Sequence, residues 1–134
     1  MQTFLPYPDF EKSLAALDYR RLGKQRVEAM QLIRSIDGTS QSKGWSNHPA
    51  KHMWKNNLLA LKHYHNLAIT EWKRRGYNNN MVLYDIDGDI EYPRWFGNEA
   101  FHAAHRSNLL RKNKEYYKQF GWDESDDLPY IWPI

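Results

Sequence analysis

The sequence predicts an all-α fold, a single compact domain of about four to six helices, on three observations. Apolar residues recur at helical spacing in the long windows, as in Leu22, Ala29, Ile33 and Ile36. Capping residues stand before these windows and glycines after them: Asp9, Asp18 and Asn98 at starts, Gly76 and Gly121 at ends. Finally, 134 residues suffice for one hydrophobic core and not for two.

Residues 1–8 read as an extended arm, because Pro6 and Pro8 fix φ and push the residue before each out of the helical region. Asp9 caps a short helix reaching about Leu17, with Phe10, Leu14 and Leu17 on one face. Asp18, accepting from the free amides of the first turn, starts the central helix, which runs to about Ser35 and is weakened at Gly23 by ~1 kcal/mol relative to alanine. Gln25 or Arg26 completes its apolar stripe. A guanidinium there demands a carboxylate, carbonyls or a phosphate unless it lies at the edge with its head in water. Residues 37–43 form a polar loop. Ser46 or Asn47 caps a helix with Pro49 in its first turn, which breaks near Asn56 and Asn57. A longer helix over residues 58–75 buries Leu58, Leu61, His65, Ala68 and Trp72, and ends at Gly76. Lys73, Arg74 and Arg75 suit its C-terminal dipole. Residues 77–93 are irregular, with residues 81–84 extended. Asp85, Asp87 and Asp89 resemble the start of a calcium loop, but Phe96 stands where its glutamate is required, so the segment reads as a turn. Asn98 caps a helix from Glu99 to about Lys112, a short one follows near 114–120, and residues 123–134 form an acidic, proline-broken tail folded back on the body.

The formal charge of +3 understates the basic side, since Asp123, Glu124, Asp126 and Asp127 crowd four negative charges into the tail. Such a balance favours a polyanionic partner. With no cysteine, disulfide and thiolate chemistry are excluded. MQTFLPYPDF has no charged leader or apolar run and no stretch suits a bilayer span, so a cytoplasmic protein without membrane association is expected.

No Walker, dinucleotide, nucleophile-elbow or HExxH pattern occurs, and no cofactor is expected. Six histidines, paired as His48/His52, His63/His65 and His102/His105, keep a metal-dependent hydrolase as a third reading, although the lone ExxH from Glu99 to His102 has no second copy. The stronger pattern is basic clusters over residues 20–26 and 106–114, interleaved with Trp45, Trp54, Trp95, Tyr116, Tyr117 and Trp122. Cations hold phosphates and rings stack on an unstacked base, which suits a protein acting on a base taken out of the duplex.

These signals, in this order, resemble the all-α pyrimidine-dimer DNA glycosylases of the endonuclease V type, nearer their bacterial and phage relatives. Tyr19-Arg20-Arg21-Leu22 followed by Arg26-Val27 resembles the family's aromatic-Arg-Glu-Leu and Arg-Val, with two extra residues between. Arg74-Arg75-Gly76-Tyr77 is similar to its Lys-Arg-Gly-aromatic ending, and Tyr116-Tyr117-Lys118-Gln119-Phe120-Gly121 to its aromatic C-terminal run. Gly44-Trp45 and His48-Pro49 resemble the Gly-aromatic and His-Pro of the bacterial relatives. The resemblance implies an endonuclease V-like fold and a partner of double-stranded DNA carrying a damaged or modified base, bound by a monomer. It further implies an N-terminal amine, here that of Met1, that attacks the sugar C1′, forms a Schiff base and nicks the strand, assisted by a helix glutamate. Arg21 stands at that glutamate position and cannot accept a proton, so Glu28 or Gln25 is expected to substitute. Arg20, Arg21, Lys24, Arg26, His48, Arg106, Arg111, Lys112, Tyr116, Tyr117 and Lys118 are the expected DNA contacts. A non-catalytic DNA-binding module of the same fold is the alternative.

Overall fold

Helices begin and end close to where the sequence supplies caps and stops. The structure is a computed structural model describing residues 3–39 and 48–133; among them are six α-helices, one 3₁₀ turn and no strand. They are α1 (Phe10–Ala16), α2 (Tyr19–Asp37), α3 (Pro49–Trp54), α4 (Leu58–Arg74), α5 (Glu99–Lys112) and α6 (Lys114–Tyr117), with the 3₁₀ turn at Lys118–Phe120. Met1, Gly44, Trp45, Ser46, Asn47 and most of the predicted 37–43 loop lie outside the described residues.

Asp9 accepts from Lys12 N and Asn98 from Phe101 N, as N-caps do. Asp18 departs from expectation. Its carboxylate caps no amide; it accepts from Tyr117 Oη at 2.5 Å and from Arg21 Nη1 at 3.2 Å, while the Asp18 amide donates to Tyr117 Oη. A buried phenol outcompetes the first-turn amides, and α6 is thereby tied to the start of α2. The central helix continues two residues past Ser35 to Asp37 and stops at Gly38, φ 81°. For α3 the cap is His48, whose Nδ1 accepts from Ala50 N at 3.0 Å.

α2 packs chiefly on α4. Gly23 permits the approach: a Cβ there would stand 3.1 Å from the Trp72 ring. Gln25, not Arg26, fills the gap in the stripe; it is 1% exposed, beside Leu22, Ala29, Leu32 and Ile33. Trp54, Tyr64, Leu61 and Phe101 complete the core, with Leu58 and Trp72 only half-buried. Beyond α4, residues 77–93 stay irregular, as expected, and lie along it through Asn66, whose side chain donates to Tyr84 O and accepts from Tyr84 N.

The N-terminal arm is buried from Thr3 to Pro6 although it pairs with no strand, so side chains must satisfy its backbone. Phe4 N donates to Gln25 Oε1 at 3.0 Å and Tyr64 Oη donates to Phe4 O at 3.1 Å. Leu5 N donates to His105 Nδ1 at 2.9 Å, His102 Nδ1 donates to Leu5 O at 2.7 Å, and Arg106 Nη1 donates to Pro6 O at 2.8 Å. At the other end of the chain, Arg111 donates to Asp126 O and Leu128 O, and Leu128 N donates to Ser107 Oγ, which returns the tail to α5.

Candidate nucleic-acid interface

Arg20, Arg21, Lys24 and Glu28 project from one side of α2, away from the stripe that faces α4, because a helix repeats every 3.6 residues. Arg20, Arg21, Lys24 and Glu28 thus share one wall of a groove of about 940 Å³, with Asp18 and Tyr19 at its end. Lys112, Asn113, Tyr116 and Tyr130 form the facing wall, and Phe4 of the arm lies between. The volume falls at the upper end of ligand clefts (~300–1,000 Å³), enough for an extruded nucleotide.

Charge in the groove is uneven. Arg21 is paired with Asp18, whereas among the described residues no carboxylate pairs with Arg20, Lys24 or Lys112. Arg20 Nε donates to the half-exposed Tyr19 Oη at 3.0 Å, which holds the guanidinium beside an accessible ring. Glu28 is half-buried and lies on the rim shared with a second, mostly apolar hollow of about 450 Å³ formed by Tyr19, Gly23, Val27, Gln31 and Trp72.

Several expected contacts lie elsewhere. Arg26 lines neither cavity: it sits 4.3 Å over the Trp72 ring and donates to Asn79 Oδ1 at 2.7 Å, and burial lowers its pKa. This is the edge-of-stripe position, with the Trp72 face as its partner. Arg106 is 8% exposed and bound to Glu99, Glu124 and Pro6 O, so its charge is consumed inside the fold. Tyr117 is fully buried against Asp18, burial and then the hydrogen bond to Asp18 raise its pKa, and it stacks on Trp122 at 5.7 Å. Arg111 holds the tail, and Lys118 pairs with Glu115 at the surface. His48 caps α3 and meets the Trp132 ring edge-on at 5.8 Å; burial lowers its pKa. Gln25 accepts from both Phe4 N and Tyr64 Oη. Phe4, Tyr19, Asn113 and Tyr130 were not among the expected contacts; Tyr19 had a signal in the aromatic that opens the central-helix motif, and Tyr130 in its place in a tail predicted to fold back. The histidine pairs do not converge: among the described residues no three His, Asp or Glu side chains form a ligand set. Trp54 is internal and Trp95 half-buried, Trp54 Nε1 donating to Thr3 Oγ1 and Trp95 Nε1 to Met53 O.

The pyrimidine dimer DNA glycosylase family matches residues 1–85, a span that includes the arm and the charged wall of α2. The chain belongs to this family. Membership places it with the glycosylases of DNA repair. This glycosylase-family member matches no curated protein and no solved structure. The facing wall, Lys112 to Tyr130, lies outside the matched residues, and no helix among the described residues is long and apolar enough to cross a membrane.

Proposed function

We propose that the chain is a DNA glycosylase with AP-lyase activity that excises a damaged pyrimidine from duplex DNA through its N-terminal amine. The observation that supports this best is the placement of Glu28 in a groove rimmed by Arg20, Lys24 and Lys112. Cations on both walls suit the phosphates flanking a lesion, and Tyr116 and Tyr130 offer rings to an unstacked base. The deprotonated α-amine attacks C1′, and the bond to the base breaks with the base leaving protonated. The C1′–O4′ bond then opens as O4′ takes up a proton, which gives the iminium; this makes the C2′ proton acidic, and its loss expels the 3′ phosphate by β-elimination. Water then releases the sugar and restores the amine. Glu28 stabilises the cationic iminium and moves the proton, the task for which Arg21 is unsuited. Gln25, its carbonyl committed to the arm, places residues and exchanges no proton.

One observation favours a second reading, a DNA-binding module without catalysis: the family's glutamate position holds Arg21, paired here with Asp18. Borohydride trapping on ultraviolet-irradiated and on abasic duplex DNA separates the two. The glycosylase-lyase gives a covalent adduct at its N-terminus, and Glu28→Gln lowers the trapping rate by about 10²–10⁴-fold while retaining DNA. Retention of DNA with neither an adduct nor a released base on either substrate would favour the module, whereas base release without an adduct would mean a monofunctional glycosylase.

A further inference from the structure

We infer that His102 and His105 of α5 are positioning residues for the reaction: they grip the two sides of the Leu5 peptide and thereby set the register of the arm that carries the N-terminal amine. The inference rests on the amine reading above.

Phe4 and Leu5 are buried, and besides this packing the Phe4 peptide is tied to Gln25 and Tyr64, which leaves the Leu5 peptide to α5. Packing, however, tolerates sliding along an extended segment, whereas a hydrogen bond to each peptide group fixes its register. His105 Nδ1 accepts from Leu5 N–H and His102 Nδ1 donates to Leu5 C=O, so the two imidazoles are opposite tautomers, each neutral. The second nitrogen of His102 accepts from Gly97 N–H at 2.9 Å, which fixes its ring in turn. Such register matters to a nucleophile, since a displacement of ~1 Å costs ~10²-fold in rate.

The grip has a pH dependence that packing lacks. Burial, with a smaller effect of His102, lowers His105 from 6.5 to about 3, and burial also lowers His102. The surroundings are the Phe4 and Phe101 rings on His105, the Phe96 and Phe101 rings on His102, and Arg106 with its partners Glu99 and Glu124. No carboxylate is hydrogen-bonded to either ring among the described residues. A released arm exposes a ring that protonates normally, so arm docking is fully present above about 6.5 and weakens about tenfold per unit below it, down to about 3.

The test compares full-length wild type, His105→Asn, whose side-chain oxygen still accepts from Leu5 N–H, and His105→Leu, which has no acceptor. Trapping on abasic duplex is read beside DNA affinity and the exchange protection factors of the Phe4 and Leu5 amides. The expected result is that His105→Leu traps about 100-fold more slowly with unchanged DNA affinity, losing protection at Leu5 but not in α4. His105→Asn restores trapping at pH 7 to within several-fold, and its Leu5 protection falls one order less per pH unit than that of the wild type. Wild-type trapping in His105→Leu, or protection lost equally in α4, overturns the inference and leaves the amine reading standing. Should His105→Leu fail to fold, an unaltered pH slope in His105→Asn overturns it equally. Absence of an adduct in the wild type overturns the amine reading itself.

Discussion

Gly23 is the residue at which helix propensity and packing oppose each other. Alanine in a helix is favoured over glycine by ~1 kcal/mol, yet a Cβ here meets Trp72 Cζ3 at 3.1 Å and Cη2 at 3.2 Å. The ring has little room to yield: its Nε1 donates to Asn78 O at 2.7 Å, Arg26 lies over its face and Tyr77 packs 4.3 Å away. Gly23→Ala is therefore expected to give no gain in urea stability, and Gly23→Val to lose ~1–3 kcal/mol. A stabilised alanine variant would show that Trp72 moves freely. Such a contact cannot be read from a sequence, in which Gly23 is only a weak point of a helix. Arg26 carries the same lesson, because its place in the stripe depended on whether Gln25 or the guanidinium faced α4.

Among the elements, α5 hid most from the sequence. Its ends were legible, Asn98 capping and Lys112 closing it, but its charges were misleading. Nine of its residues are buried, including His102, His105, Arg106, Ser107 and Asn108, because it receives the arm on one side and the tail on another. Arg106 reads as part of a basic cluster only while Glu99 and Glu124 are unseen, and neither is near it in a way that spacing reveals. The end of α4 shows the converse, a basic run with a local explanation. Arg74 and Arg75 donate to Glu71, and Arg75 Nη2 also donates to Ala15 O at 3.0 Å, joining α4 to the end of α1. The hydrogen bonds from Arg74, then that from Arg75, lower the Glu71 pKa from 4.5 against the effect of burial. Its contribution is present above about 4.5 and lost as pH falls through the depressed folded value. Glu71→Gln should cost ~1–2 kcal/mol at pH 7, less than a fully buried pair because Arg74 is largely exposed. In urea titrations the gap from wild type should narrow on acidification; a constant gap would mean that shape alone matters at this position.

At the scale of the molecule, the groove joins residues that lie far apart in the chain. Its α2 wall was legible, since Arg20, Arg21, Lys24 and Glu28 stand on neighbouring turns of one predicted helix. The facing wall was legible only in Lys112 and Tyr116, because the position of Tyr130 depends on Arg111 and Ser107 folding the tail. If both walls meet phosphates, Lys24→Ala and Lys112→Ala should each reduce the slope of log K against log salt by ~1 on duplex DNA, without altering preference among sequences. An unchanged slope in Lys112→Ala would confine the DNA to α2. Glu28 and the wall of Lys112, Tyr116 and Tyr130 come from separate parts of the chain. Substitutions confined to the C-terminal stretch can thus reshape the groove, and with it the choice of lesion, while the residues proposed to break bonds stay as they are.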